Sequence, residues 1–570
     1  MSRPFATPSL FRVVTLLLLT LGVVPPASGQ SSAAQAETPR AQAQAQTQPA
    51  AQPAAPTRAA ILRGAYGPYR ANNDLLSYDL DVRVDPEKKF ISGKNTIRFR
   101  MIDDGARIQI DLAAALNVDR ILLGQTALKY ERELGAVFID FPQTLKKNKT
   151  YAIDFYYSGN PVTVGRFGGM TFGKDPAGRA WINTACQDVG ASVWWPNKDQ
   201  QKDEVQNMWI RVAVPNGLTD VSNGKFAGRT DLGDGYTRWD WHVQYPINSY
   251  TVSLNIGTYT HFTDTLDGHT LDFYVLPENL EKATKQFAQA KGMIQAYEKY
   301  VGPYPFWKDG YKLIEAPYTG MEHQSAVTYG NRFANGYYER DWTGVGISLK
   351  FDFIIIHESA HEWFGNSVTS SDICDMWIHE GWGTYLEGIY VEHLWGKADA
   401  LKYLNGYKSK VRNREPIITQ CGVNRMPGQD QYFKGALFIN TLRSIVDNDA
   451  QWWKLVRGLY ARFKYRTITT ADVVAFFNEK TGRNLTPVFD QYLRHTDLPT
   501  LELQFAETPG RMMYRWKADE PAFAMPVKVG RQDAWQTIQP TAEWKTLQTP
   551  IGKDAFEVAT DLYYVNVAKK

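Results

Sequence analysis

Cysteine is scarce: Cys186, Cys374 and Cys421 are the only three in 570 residues, and no two form a Cys-x-x-Cys pair. That excludes a zinc site built from cysteines, and it excludes a disulfide framework, since three thiols form at most one bridge and leave one over. Charge of one sign is also missing. The net charge is +3, and Arg3 and Arg12 supply two of those positive charges from the extreme N-terminus. The rest of the chain is nearly neutral, which gives no footing for nucleic acid or an anionic membrane. No apolar run reaches the roughly 20 residues a membrane span needs, and no repeat of fixed period is present.

What the chain does contain falls into segments. Residues 1–29 read as a secretory signal peptide, with Arg3 and Arg12 flanking its start, an apolar stretch from Val13 to Val24, and the small residues Ala27-Ser28-Gly29 for cleavage. No cysteine closes the leader, which disfavours a lipid anchor; a secreted or periplasmic protein without a stable membrane span is expected. Residues 30–58 are almost entirely Ala, Gln, Pro, Thr and Ser and are expected to be a disordered linker. From 59 to 276 short runs alternate, as in Tyr78, Leu80, Val82 and Val84, or Val252, Leu254 and Ile256, which predicts an N-terminal β domain. Between 277 and 497 the spacing turns helical, beginning with Ala283, Phe287, Ala290, Ile294, Tyr297 and Val301. Alternation returns in Leu501, Leu503 and Phe505, predicting a small C-terminal β domain over 498–570. The fold class expected is multidomain α+β.

Histidine is nearly as rare as cysteine, yet five of the nine lie between 323 and 393. Two belong to His357-Glu358-Ser359-Ala360-His361, and Glu380 follows after eighteen intervening residues. Histidines at i and i+4 share one helix face and reach one Zn²⁺, with Glu358 beside them as general base. Glu380, at the head of a second helical stretch, supplies a third ligand and leaves a fourth position for water, as a catalytic zinc site requires. Another zinc-enzyme pattern needs a histidine six residues after His361, where Ser367 stands. The expectation is a hydrolase with one Zn²⁺ per chain.

The setting His357-Glu-x-x-His361-Glu-Trp-Phe-Gly-Asn-x-Val-Thr, with Glu380, resembles the aminopeptidase N and leukotriene hydrolase family of zinc metallopeptidases, the gluzincins. Thr319-Gly320-Met321-Glu322-His323 is similar to that family's exopeptidase motif, Tyr432-Phe433-Lys434-Gly435 to its Tyr-Glu-Lys-Gly segment, and Cys186-Gln187 to an N-terminal-domain loop entering the active site. The resemblance implies a saddle-like N-terminal β domain on a thermolysin-like, mainly helical catalytic domain. It implies an aminopeptidase acting on peptides with a free N-terminus. Glu322, flanked by Gly320 and Met321, would hold the substrate's ammonium, Gln187 would be a second, neutral contact, and Tyr432 would stabilise the oxyanion. Asp375 is placed either to orient a ligand imidazole or to cap a helix.

Departures from the family pattern are Thr319 for Gly, His323 and His379 for Asn, and Phe433 for an acidic residue. Either imidazole would narrow the amine pocket or make it sensitive to pH. The chain ends about seventy residues past the catalytic region, where the family usually has a long helical domain. A more open cleft, or one closed by a second copy of the chain, is expected. Three competing readings are an epoxide-hydrolase-like enzyme with a non-peptide substrate, a catalytically silent binding protein of the same fold, and an endopeptidase. The complete set of ligands, base and tyrosine speaks against the second. Glu322 speaks against the third, because a blocked substrate would leave its carboxylate buried without a partner.

Overall fold

The computed structural model describes residues 55–165, 167–507 and 510–570. The expected leader and nearly all of the expected linker lie outside the described residues. The linker's last expected residue, Arg58, already begins a helix, Arg58–Gly64, capped by the Thr57 side chain. Among the described residues no helix is long and apolar enough to cross a membrane.

The alternating runs form the sheets they predict. Asn73–Asp85 is central in an eight-stranded sheet, paired antiparallel with Phe90–Met101 and parallel with Asn207–Pro215. Its inward residues Tyr78, Leu80, Val82 and Val84 are buried while their neighbours are partly exposed, as period-2 alternation requires. A four-stranded sheet in the order Thr219–Ser222, Leu254–Gly257, Ala180–Ala185, Gly169–Lys174 completes the part that matters for the site. Two of its neighbouring strands, Ala180–Ala185 and Leu254–Gly257, are continuous with the segments carrying Gln187 and Tyr250.

The strands Thr260–Leu266 and His269–Val275 lie within the span 59–276 expected as the N-terminal β domain. His269–Val275 pairs with Tyr311–Glu315, in a five-stranded sheet completed by Val327–Tyr329 and the edge strand Gly320–Met321. Leu271, Phe273 and Val275 accordingly share their hydrophobic core with the helices that follow. The residues from 73 to 257 build most of a second core, to which Ile314 and Ala326 of the following region also belong. Tyr311–Glu315 is buried at every position, so it shows no alternation and reads from sequence as mere interruption.

Helices close over one face of this sheet. The helix that carries the first histidine starts at Phe353. Asp352 caps its N-terminus: its buried carboxylate accepts from the backbone nitrogens of Ile354 and Ile355 at 3.0 and 3.3 Å, so the helix is Phe353–Ala360. Such a cap is worth about 1 kcal/mol, and each of Ile354, Ile355 and Ile356 adds roughly 1.5–3 kcal/mol by burial. The next long helix, Trp377–Trp395, is buried on all sides from Trp377 to Val391, as a central helix must be. Asp430–Val446 packs across it where a β-carbon on Gly435 would lie 3.0 Å from Gly381 Cα. Only a pair of glycines allows that approach.

The C-terminal residues form a four-stranded and a three-stranded sheet. Their attachment is polar as well as apolar: Thr441 Oγ1 accepts from the Tyr564 backbone nitrogen at 3.0 Å, and Tyr492 donates to the Tyr564 carbonyl at 2.8 Å. Lys434 donates to the carbonyls of His495 and Thr496 at 2.8 and 3.1 Å, tying the helix of Tyr432 to the segment that leads into these strands. Cys374 and Cys421 are joined as a disulfide and Cys186 is a buried free thiol.

Candidate active site

His357 and His361 stand one helical turn apart, His361 capping the C-terminal end of the helix with its backbone still in the helical region. Their Nε2 atoms are 3.3 Å from each other, and Glu380 Oε2, from the first turn of the long helix, is 3.6 Å from one and 3.3 Å from the other. All three groups are buried. The outer nitrogens are already committed. His357 Nδ1 faces Glu387 Oε1 at 2.7 Å, and His361 Nδ1 faces the Phe364 carbonyl at 3.0 Å. Both partners only accept, so in a neutral ring each Nδ1 carries the proton and each Nε2 a lone pair. Glu380 Oε2 is buried and receives no hydrogen bond. Three acceptors converging without a donor repel one another unless a cation lies among them. Two imidazole nitrogens and one carboxylate are a donor set that suits Zn²⁺ with its fourth position open.

Asp375 does not orient either imidazole. It accepts a hydrogen bond from Thr470 Oγ1 at 2.6 Å, at the N-terminal end of the long helix. The residue that orients His357 is Glu387, whose other oxygen accepts from Tyr403 at 2.7 Å and from Tyr407. Glu387 follows Glu380 by seven residues on one helix, two turns along the same face. A glutamate between Leu386 and Gly388, in a helix apolar on all sides, was the signal that sequence reasoning passed over.

The cavity at these ligands is lined by Gln187, Gly320, Met321, Glu322, Glu358 and Tyr432 among others, so with His357, His361 and Glu380 nine of the ten expected site residues meet there. Gly320 lies on the edge strand against the motif helix. A β-carbon on it would sit 2.6 Å from Ile354 and 3.0 Å from Glu358 Cγ, so any side chain there would displace Glu358. Tyr432 donates to Glu380 Oε1 at 2.8 Å. Burial, and then the Glu380 charge, push its hydroxyl well above the usual range, which keeps it a donor. Gln187 bridges two carboxylates, donating to Glu322 Oε1 at 2.8 Å and to Glu380 Oε1 at 2.6 Å. Burial raises the carboxyls of both Glu322 and Glu358.

Neither His323 nor His379 lines the cavity. Burial pushes each ring down to about 3, so neither charges at ordinary pH, and the expected narrowing or pH-sensitivity of the amine pocket does not come from them. Phe433 stacks on Tyr407 and packs against Trp342, using as an aromatic the place expected for an acid. Tyr250, which the sequence did not single out, donates to Glu322 Oε1 at 3.1 Å. None of the described residues beyond 498 lines the cavity.

The family model of the peptidase family M1 domain matches residues 286–492, and that of the peptidase M1 N-terminal domain matches residues 75–251. Among curated proteins, endoplasmic reticulum aminopeptidase 1 of Mus musculus is 23 % identical over 266 residues, covering 44 % of this chain and 28 % of the relative. Aminopeptidase N of Streptomyces lividans is 24 % identical over 437 residues, covering 72 % of this chain and 49 % of the relative. The chain thus spans about half the length of the second and less than a third of the first. Among solved structures, an M1 zinc metallopeptidase mutant from Deinococcus radiodurans, with a Tyr-Ser-Ala substrate bound, superposes with a TM-score of 0.63 at 19 % identity. The match covers 77 % of this chain and 98 % of that one.

Proposed function

The chain belongs to the peptidase M1 family, and from that membership and the geometry of its site we propose that it is a zinc-dependent aminopeptidase that removes N-terminal residues from peptides. One observation carries the reading: the donor-less meeting of His357, His361 and Glu380 shares its cavity with a buried carboxylate from outside the motif helices, Glu322. The first set holds a cation of the protein's own; the second is left for a cation on the substrate.

His357, His361 and Glu380 hold Zn²⁺, which when bound polarises the scissile carbonyl and acidifies water. Glu358 takes the proton of the attacking water and passes it to the departing amine. Tyr432 turns its hydroxyl from Glu380 Oε1 to the developing oxyanion. Glu322 receives the α-ammonium, and Gln187, donating to both Glu322 and Glu380, sets the distance between the ammonium and the cut. Glu387 keeps the His357 proton on Nδ1 and its lone pair on the metal side. Glu387→Gln is expected to weaken zinc affinity about 10–100-fold, read by competition with a graded series of chelators. Unchanged affinity would remove Glu387 from the site.

The reaction is tested on fluorogenic aminoacyl amides with a free amine, their N-acetylated counterparts, and peptides cleavable only internally. Turnover of the free amines alone, abolished by chelator and restored by Zn²⁺, is the expected result. Cleavage of blocked substrates would end the role given to Glu322. Silence across all three, with zinc bound, would transfer the reading to a non-peptide substrate.

We set the domain limits at 59–259, 260–497 and 498–570, the first boundary following the pairing of His269–Val275 with Tyr311–Glu315. An exported, secreted or periplasmic location is supported by the composition of residues 1–29 and by the Cys374–Cys421 bridge, a bond that persists in oxidising compartments.

A further inference from the structure

Hydrogen bonding around Glu322 extends one layer beyond the cavity. Tyr250 Oη, the donor to Glu322 Oε1, lies 3.4 Å from His379 Nδ1, and His379 Nε2 is 2.7 Å from the backbone nitrogen of Ser370. Tyr250, His379, Ser370 and Glu322 are all buried. The chemistry of the two ends sets the direction of every bond. A backbone N–H only donates, so His379 Nε2 carries a lone pair and the ring's remaining proton is on Nδ1. That proton is donated to Tyr250 Oη. Tyr250 then has one proton of its own and faces a carboxylate, so its hydroxyl donates to Glu322. The order runs Ser370, His379, Tyr250, Glu322, with no member free to reverse.

We propose that Tyr250 and His379 are positioning residues for recognition of the substrate's amino group. They pin Glu322 Oε1 and leave Oε2 for the ammonium. The proposal rests on the reading of Glu322 as the amine anchor. Neither residue lines the cavity, so neither is a substrate contact. The placement has a structural logic. Tyr250 sits in the turn Ser249–Thr251 just before the strand Leu254–Gly257, and Gln187 just after the neighbouring strand Ala180–Ala185. One sheet of the N-terminal domain therefore delivers both donors that hold Glu322. His379, from the catalytic domain, fixes the proton of one of them. Glu322 needs this support because four carboxylates, Glu322, Glu358, Glu380 and Glu387, line one cavity, and an anchor that turned towards the metal ligands would compete with the substrate's ammonium. A buried tyrosine and histidine that merely fill space would show no such order from a backbone donor to the one carboxylate.

Tyr250→Phe removes only the hydroxyl and keeps the ring. It is expected to raise KM for a free aminoacyl amide about 10–100-fold, as loss of a hydrogen bond to a charged group does, with kcat changed less than about threefold. Zinc content and thermal midpoint, measured alongside, are expected to stay at the wild-type values. His379→Ala is expected to raise KM in the same way, and the double variant to be no worse than Tyr250→Phe alone, because His379 acts only through Tyr250. His379→Asn keeps a donor at the Nδ1 position and is expected to recover most of the wild-type KM. Unchanged KM in Tyr250→Phe, or a loss in kcat with KM unmoved, overturns the proposal, provided Glu322→Gln raises KM. If Glu322→Gln also leaves KM unchanged, the amine-anchor reading falls and takes the proposal with it.

Discussion

Glu358→Gln is expected to lower kcat by about 10³-fold, or about 4 kcal/mol, while leaving zinc content and fold intact. The substitution keeps the side chain's length and shape in a place that allows no other. Glu358 is held between the helix and Gly320, whose missing β-carbon would come within 3.0 Å of Glu358 Cγ. Glutamine there fits but cannot take a proton. Glu358 is not one of the three converging acceptors, so the metal affinity of His357, His361 and Glu380 is expected to be unaffected. Binding of a free-amine product is likewise expected to persist, since Glu322 and Gln187 are untouched. Activity loss accompanied by loss of zinc would instead make Glu358 a ligand or a structural prop. A kcat within tenfold of wild type would mean that another group takes the proton.

How much of this was legible in the chain depended on distance along it. His357, Glu358 and His361 are a local pattern: helix geometry alone brings i and i+4 together, and Glu380 follows after eighteen residues in the first turn of the next long helix. Strands exposed on one face, such as Asn73–Asp85, announce themselves by alternation. Tyr311–Glu315 is buried on both faces and carries no period to read. Thr260–Leu266 and His269–Val275 do alternate, yet alternation shows that a strand exists and not which strand it pairs with, and so the pairing of His269–Val275 with Tyr311–Glu315 was not legible in the chain. The cysteine content limited the chain to one bridge but left three pairings open; the folded chain selects Cys374 and Cys421, 47 residues apart. The supporting shell was least visible. Asp375 was proposed because it is near Glu380 in sequence, while Glu387, two helical turns away, is near His357 in space. Tyr250 meets Glu322 across 72 residues and His379 across 129, and no local pattern marks it out from the other tyrosines. Residue types that bear chemistry show in sequence; the residues that aim them show only once the chain is folded.

Tyr432→Phe should separate two jobs that the resting geometry assigns to one hydroxyl. In the structure Tyr432 donates to Glu380 Oε1, the oxygen of the third ligand that also accepts from Gln187. If steadying Glu380 were its whole contribution, Gln187 would remain on the same oxygen, and the variant would lose at most some zinc affinity. An oxyanion donor behaves differently, because its bond strengthens only as charge develops. Removing it is expected to lower kcat and kcat/KM together by about 10²–10³-fold, or about 3–4 kcal/mol, with KM and zinc content near wild type. The hydroxyl is suited to that work, since burial and the Glu380 carboxylate hold its proton well beyond ordinary pH and the donor is not lost in alkaline solution. Its place is secured from below: the glycine contact of Gly435 with Gly381 and the bonds of Lys434 to His495 and Thr496 fix the helix that carries it. A loss confined to zinc affinity, with full kcat at saturating zinc, would leave Tyr432 as a support for Glu380. The oxyanion would then have to be met by the metal alone.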